Sequence, residues 1–134
     1  MRLIEDRGSI RNLVARYGIA IDDRDMDAIG DCFCLDGRFG SRDGVLDARG
    51  RDAVLQQSRG RFPALGPSNL LTADRVVGFE GCDTDHARGT VNSNAEAVRH
   101  GVPMPVALRY EDRYRRDADG RWRFADRLMS FFII

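Results

Sequence analysis

The chain has 134 residues, enough for one domain with a core and a single cavity, and its 21 cationic and 21 acidic side chains cancel to no net charge. That balance argues against a nucleic-acid partner, which usually demands a basic excess. No apolar run approaches the ~20 residues of a membrane span, and the opening "MRLIEDRGSIRNL" has neither an apolar core nor a small-residue cleavage site, so the expectation is a cytoplasmic protein with no membrane partner.

Every cationic side chain is Arg; the absence of lysine excludes a Schiff-base lysine. Ile10, Leu13, Val14, Tyr17 and Ile21 recur at helical spacing and predict one amphipathic helix. Its end reads "YGIAIDDRD", and the helical wheel puts Asp22 just outside the apolar stripe and Asp23 further toward solvent. Two readings of Asp22 stand: a helix end meeting a solvated loop, or a carboxylate at the mouth of an apolar pocket. Asp25 reads as the N-cap of a short second helix carrying Met26, Ile29 and Phe33, with Asp27 in its first turn. Cys32, Cys34 and Cys82 are odd in number and lack Cys-x-x-Cys spacing, so reduced thiols are expected rather than a disulfide framework or a metal site.

"LDGRF", from Leu35 to Phe39, reads as a turn into a strand, and Asp52 to Arg59 as a third helix. "FPALGPS" is a loop, after which the period becomes two. Leu71 to Phe79 is one strand. In the next, His86 to Val98, Ala87, Gly89, Val91, Ser93, Ala95 and Ala97 face one way. That inward row is unusually small, which leaves room for a cavity. Leu108, Tyr110, Asp112 and Tyr114 alternate with Arg109, Glu111, Arg113 and Arg115, "DADG" is a hairpin turn, and "RWRFADRLMSFFII" is the last strand. Helices followed by a sheet give an α+β fold with three N-terminal helices packed on one side of a curved antiparallel sheet.

Two stretches carry a family resemblance: "IRNLVARYGIAIDDRDMDAIGDCFCLDGRF" and "LRYEDRYRRDADGRWRFADR". They fit a helix ending Tyr-x4-Asp, then D-x-D-x5-F-x-x-D-G-x-F, and late Y-x-D-x-Y-x-R with G-x-W-x-F-x-x-R. The chain resembles the SnoaL-like branch of the nuclear-transport-factor-2-like (cystatin-like, cone-shaped) superfamily over nearly its whole length, residues 1–134 as one domain. The branch includes scytalone dehydratase, bile-acid dehydratase, hexachlorocyclohexane dehydrochlorinase and polyketide cyclases. Ketosteroid isomerase and limonene-epoxide hydrolase are more distant members. One scaffold with many chemistries means that function must be argued from the site.

The resemblance implies that Asp22 is the pocket acid and Tyr17 a hydroxyl donor to a developing oxyanion. The family's strand histidine is replaced by Asn69, and the only histidines, His86 and His100, read as solvated loop residues. Asn69 is then a candidate to hold a substrate carbonyl or to fix Asp22. Arg123 matches a pocket cation of the dehydrochlorinase-like members, although alternation turns it away from Trp122 and Phe124. Tyr110, Val91, Leu71 and Phe39 are candidates to line the pocket. The expected activity is a lyase, isomerase or cyclase without cofactor or metal, acting on a small apolar metabolite such as a polyketide, steroid, terpenoid or aromatic, with dehydration first. The rival readings are a ligand-binding or assembly module with a degenerate site, and an epoxide hydrolase built on an Asp-Arg-Asp set. The polar, uncharged row Thr90, Asn92 and Asn94 suggests a covered outer face and a homodimer or higher homo-oligomer.

Overall fold

The structure is a computed structural model, and it describes residues 2–61, 72–77 and 85–133. In chain order the elements are α1 (Arg2–Asp22), α2 (Met26–Asp31), β1 (Phe33–Ser41), β2 (Asp47–Arg49), α3 (Arg51–Arg61), β3 (Thr72–Val77), β4 (His86–Arg99), β5 (Val102–Arg116) and β6 (Trp122–Ile133). The strands form one six-stranded sheet in the order β2-β1-β6-β5-β4-β3. The helices pack against its β1–β6 end and against one another, with α1 also reaching β3. No helix among the described residues is long and apolar enough to cross a membrane.

The five stripe residues of α1, Ile10, Leu13, Val14, Tyr17 and Ile21, are all buried. The helix stops because the chain turns left-handed at Arg24 (φ 56°). The Asp25 N–H donates back to the Ala20 carbonyl at 2.9 Å and the Arg24 N–H to Ile21 at 3.1 Å, a Schellman closure. Asp25 then serves the next helix: its side chain accepts from the Ala28 N–H at 3.1 Å, the expected N-cap. This double use of Asp25 fixes the turn from α1 into α2, just after Asp22.

Three expectations are corrected, the first of them Phe33, which opens β1 instead of riding on α2. The sheet is mixed: β1 runs parallel to β6, while every other pairing is antiparallel. The predicted turn at "LDGRF" is a buckle inside β1, where the register to β6 slips between Phe33 and Arg38. Gly37 sits at this buckle. A Cβ there would lie 2.9 Å from the carbonyl oxygens of both Cys34 and Phe124, a clash with backbone that cannot move aside.

The hairpin between β4 and β5 is a two-residue turn, His100 (φ 52°) and Gly101 (φ 77°), the positive-φ pair that matches the strands' twist. The inward row of β4 is confirmed where its side chains are described: Gly89, Val91 and Ser93 are buried, Arg88 and Asn94 are exposed. Cys32 and Cys34 are buried free thiols, and burial pushes their pKa values up to about 11 and about 12. Cys82 lies outside the described residues.

Candidate functional site

The inward faces of β5 and β6 meet in a buried ion pair. Antiparallel register sets Tyr110 opposite Met129, Asp112 opposite Arg127 and Tyr114 opposite Phe124. Arg127 is 1% exposed and Asp112 3%. The Arg127 guanidinium donates from Nε to Asp112 Oδ1 at 2.9 Å and from Nη2 to Oδ2 at 3.2 Å. The Tyr114 hydroxyl adds a third donor to Asp112 at 2.9 Å.

Taking two charges out of water is costly, and only such geometry offsets it. Burial raises the Asp112 carboxyl and works against the Arg127 cation, while each charge favours the ionised form of the other. Three donors converge on one carboxylate, two of them from a guanidinium, which is the geometry of a charge-assisted pair.

Aromatic rings enclose this pair. The guanidinium carbon lies 3.7 Å from the ring centre of Tyr110, 4.3 Å from Phe124 and 4.7 Å from Tyr17, which replaces part of the lost hydration by cation–π attraction. Tyr17 comes from α1 and packs edge-on against Phe33, Tyr110 and Phe124, with centroids 6.0, 6.5 and 5.6 Å apart. Phe39 of β1 meets Tyr110 edge-on at 6.3 Å. Burial raises the Tyr17 and Tyr110 hydroxyls above their ordinary values, with Arg61 and Arg127 opposing the rise. Both therefore stay protonated at neutral pH, as donors, and neither hydroxyl forms a hydrogen bond among the described residues.

Asp22 is the last residue of α1, five positions beyond Tyr17 and so about 7.5 Å further along the helix axis. It is half-buried, with the buried Ile21 on one side and the turn of exposed Asp23 and half-buried Arg24 following. Of the residues singled out from the sequence, Tyr17, Tyr110, Phe39 and Val91 are thus buried in one cluster, with Val91 paired to Tyr110 across β4 and β5. Asn69 and Leu71 lie outside the described residues. His86 and His100 are exposed, as expected.

Arg123 is elsewhere. It pairs with Arg115 on the sheet face opposite Phe124 and Tyr114, where its guanidinium donates to the Asp31 carbonyl at 2.9 Å and to the carboxylates of Asp31 (3.3 Å), Asp117 (3.1 Å) and Asp119 (2.9 Å). This outer-face network pins the β5–β6 turn to the end of α2, so Arg123 is removed from the pocket set. The interior cation is Arg127, which closes the G-x-W-x-F-x-x-R pattern. Asp112 was already on the inward alternation, and their direct opposition across two strands is the relationship the sequence alone did not supply. Among the described residues no group of three or more His, Cys, Asp or Glu side chains is placed to hold a metal ion.

With this geometry established, comparisons with known proteins locate the fold. The structure superimposes on an NTF2-like protein with a cystatin-like fold from Novosphingobium aromaticivorans, with a TM-score of 0.72 and 26% identity over 96% of this chain and 82% of that one. It is also similar to hexachlorocyclohexane dehydrochlorinase LinA-type3 from Novosphingobium barchaimii, with a TM-score of 0.85 and 17% identity over 99% and 91%. A ketosteroid isomerase-like protein from Erwinia carotovora atroseptica gives 0.80 and 22% over 96% and 97%. No curated protein matches the sequence. The family model described as a SnoaL-like domain matches residues 2–128, and the chain belongs to the SnoaL-like family.

Proposed function

We propose that the protein is a cofactor-independent lyase or isomerase acting on a small, largely apolar molecule with a carbonyl next to an acidic C–H, and that Asp22 is its acid–base residue. The observation that carries this reading is the buried Arg127–Asp112 pair in a cage of Tyr17, Tyr110 and Phe124. A charge fixed among aromatic rings, flanked by two hydroxyls with donors to spare, suits a reaction in which negative charge develops on a substrate oxygen.

In the favoured dehydration, the Asp22 carboxylate takes the proton from carbon next to the carbonyl. The electron pair moves onto the carbonyl oxygen, where the Tyr17 hydroxyl stabilises it. As the enolate collapses, the new C=C bond forms, the C–O bond to the departing hydroxyl breaks, and the proton held by Asp22 goes to that hydroxyl to make water. Isomerisation uses the same first step and returns the proton to a different carbon. Asn69 is assigned to the substrate carbonyl, and Phe39, Leu71, Val91 and Tyr110 to the pocket wall.

The experiment is a panel of β-hydroxy ketones on apolar ring systems, followed by the ultraviolet absorbance of the conjugated enone. Turnover by the wild type that is lost in Asp22→Asn supports the reading. Ligand binding without turnover in either protein points to a binding module. A second reading, epoxide opening, draws on the Asp112–Arg127 pair as the carboxylate–guanidinium unit of an Asp-Arg-Asp set with Asp22. Diol formation from a cyclic epoxide separates it from elimination.

The outer row of β4, with Thr90 and Asn92 half-buried and Asn94 exposed, is the proposed contact of a homodimer. Its test is the solution mass by light scattering.

A further inference from the structure

Arg61 closes α3, and its guanidinium turns toward the cluster just described. It stacks 5.0 Å from the centre of the Phe39 ring, and its Nη2 donates to Met129 Sδ at 3.8 Å. Phe39 and Met129 are both buried, and Met129 is the cross-strand partner of Tyr110. Its charge is felt at both tyrosine hydroxyls.

A guanidinium offers five N–H donors, and a thioether is a weak acceptor. Arg61 has no carboxylate partner among the described residues. A cation in the last turn of a helix can simply complement the helix dipole, but Arg59, exposed in the same turn, already does that. The interior holds a second polar group without a partner. Ser93 is 3% exposed, on the inward row of β4, and its Oγ has no hydrogen-bond partner. Together with the Tyr17 and Tyr110 hydroxyls, the described interior holds polar groups whose hydrogen-bonding capacity is not used up by their neighbours. Asp112 pairs with Arg127, whereas the Arg61 cation faces a ring and the two tyrosine hydroxyls.

We propose that Arg61 is a substrate-binding residue that makes this site selective for small aromatic or alicyclic molecules bearing a carboxylate. The inference rests on the interior reading of the site and deepens it by naming the substrate's charge. Arg61 receives the carboxylate, while the apolar rings receive the skeleton.

The test uses 2-naphthoate and its neutral counterpart 2-naphthamide, titrated into the full chain and followed by amide chemical shifts and calorimetry. The wild type is expected to bind naphthoate at least about tenfold more tightly, the scale of one charge-assisted pair. Arg61→Gln should bind the two equally, with naphthamide affinity changed less than twofold. Arg61→Lys, which keeps the charge and loses the fork, should retain part of the preference and serves if the Gln variant does not fold. Equal binding of both probes by the wild type, or an undiminished preference in Arg61→Gln, overturns the role of Arg61 and leaves the interior site standing. Failure of both probes to bind overturns the inference together with the interior site.

Discussion

Asp112 on β5 and Arg127 on β6 stand directly opposite each other and share two hydrogen bonds, 2.9 and 3.2 Å, with both side chains all but sealed from solvent. A pair this deep has no water to fall back on. Removing Asp112 alone, as Asp112→Ala, strands a cation among aromatic rings and should destabilise the protein by about 3–5 kcal/mol. The double variant Asp112→Leu with Arg127→Met removes both charges and should be more stable than the single variant. Urea denaturation of the three proteins reads the comparison.

Tyr17 packs on three rings through its edges, and its hydroxyl bonds to nothing described. Tyr17→Phe should therefore leave stability within about 1 kcal/mol of the wild type. On any substrate that the protein turns over, the same change should lower kcat by about 10- to 1,000-fold, the range for one lost oxyanion donor. Thermal melting and steady-state kinetics measure the two effects separately.

Gly37 has two backbone oxygens 2.9 Å from where a side chain would begin. Gly37→Ala should cost on the order of 2–4 kcal/mol, because the parallel β1–β6 pairing must separate to admit a methyl group. Gly60, in α3, has open space around it, so Gly60→Ala should be neutral or stabilising by up to about 1 kcal/mol. Chemical denaturation of both variants contrasts one substitution under constraint with one free of it.

The outer network around Arg123 predicts an acid-sensitive window. Hydrogen bonds from Arg123 hold Asp119 down at about 2. Burial raises Asp31, but hydrogen bonds from Arg123 and Arg121 outweigh it and keep this carboxyl below its ordinary value. Both folded values lie below the ~3.9 of an unfolded Asp. Their stabilisation is therefore complete above about pH 4 and is lost as the pH falls toward about 2. Arg123→Met should show a shallower decline of stability across that window, measured as urea midpoints at stepped pH.

Much of this architecture is legible in the sequence where physics is local. The i, i+3, i+4 stripe of α1, the Asp25 cap and the small inward row of β4 each follow from spacing or side-chain chemistry, and the structure bears them out. The parallel pairing of β1 with β6 joins segments about 90 residues apart, which no local period encodes. The Asp-Gly at Asp36 and Gly37 carries a genuine turn signal, yet here it serves a buckle, because tertiary contact with β6 decides its use.

Arg127 was hidden by its company. In "RWRFADR" an arginine reads as solvated, since charges are rarely buried unless paired, and the pairing depends on cross-strand register. Arg123 was misplaced for the converse reason. It is buried, but on the outer face under three carboxylates. Alternation had already put it opposite the aromatics, and the family likeness pulled it inward.

The central claim is that Asp22 takes a proton from carbon inside this cone. Its most direct measurement is carbon-bound hydrogen exchange, followed by proton NMR in deuterium oxide, for a cyclic ketone shown to bind the wild type and Asp22→Asn equally. The account predicts that the wild type washes out the hydrogens next to the carbonyl and that Asp22→Asn slows this at least about 100-fold, the lower range for a positioned base. Exchange at equal rates in the two proteins, or none above buffer in the wild type, would contradict it.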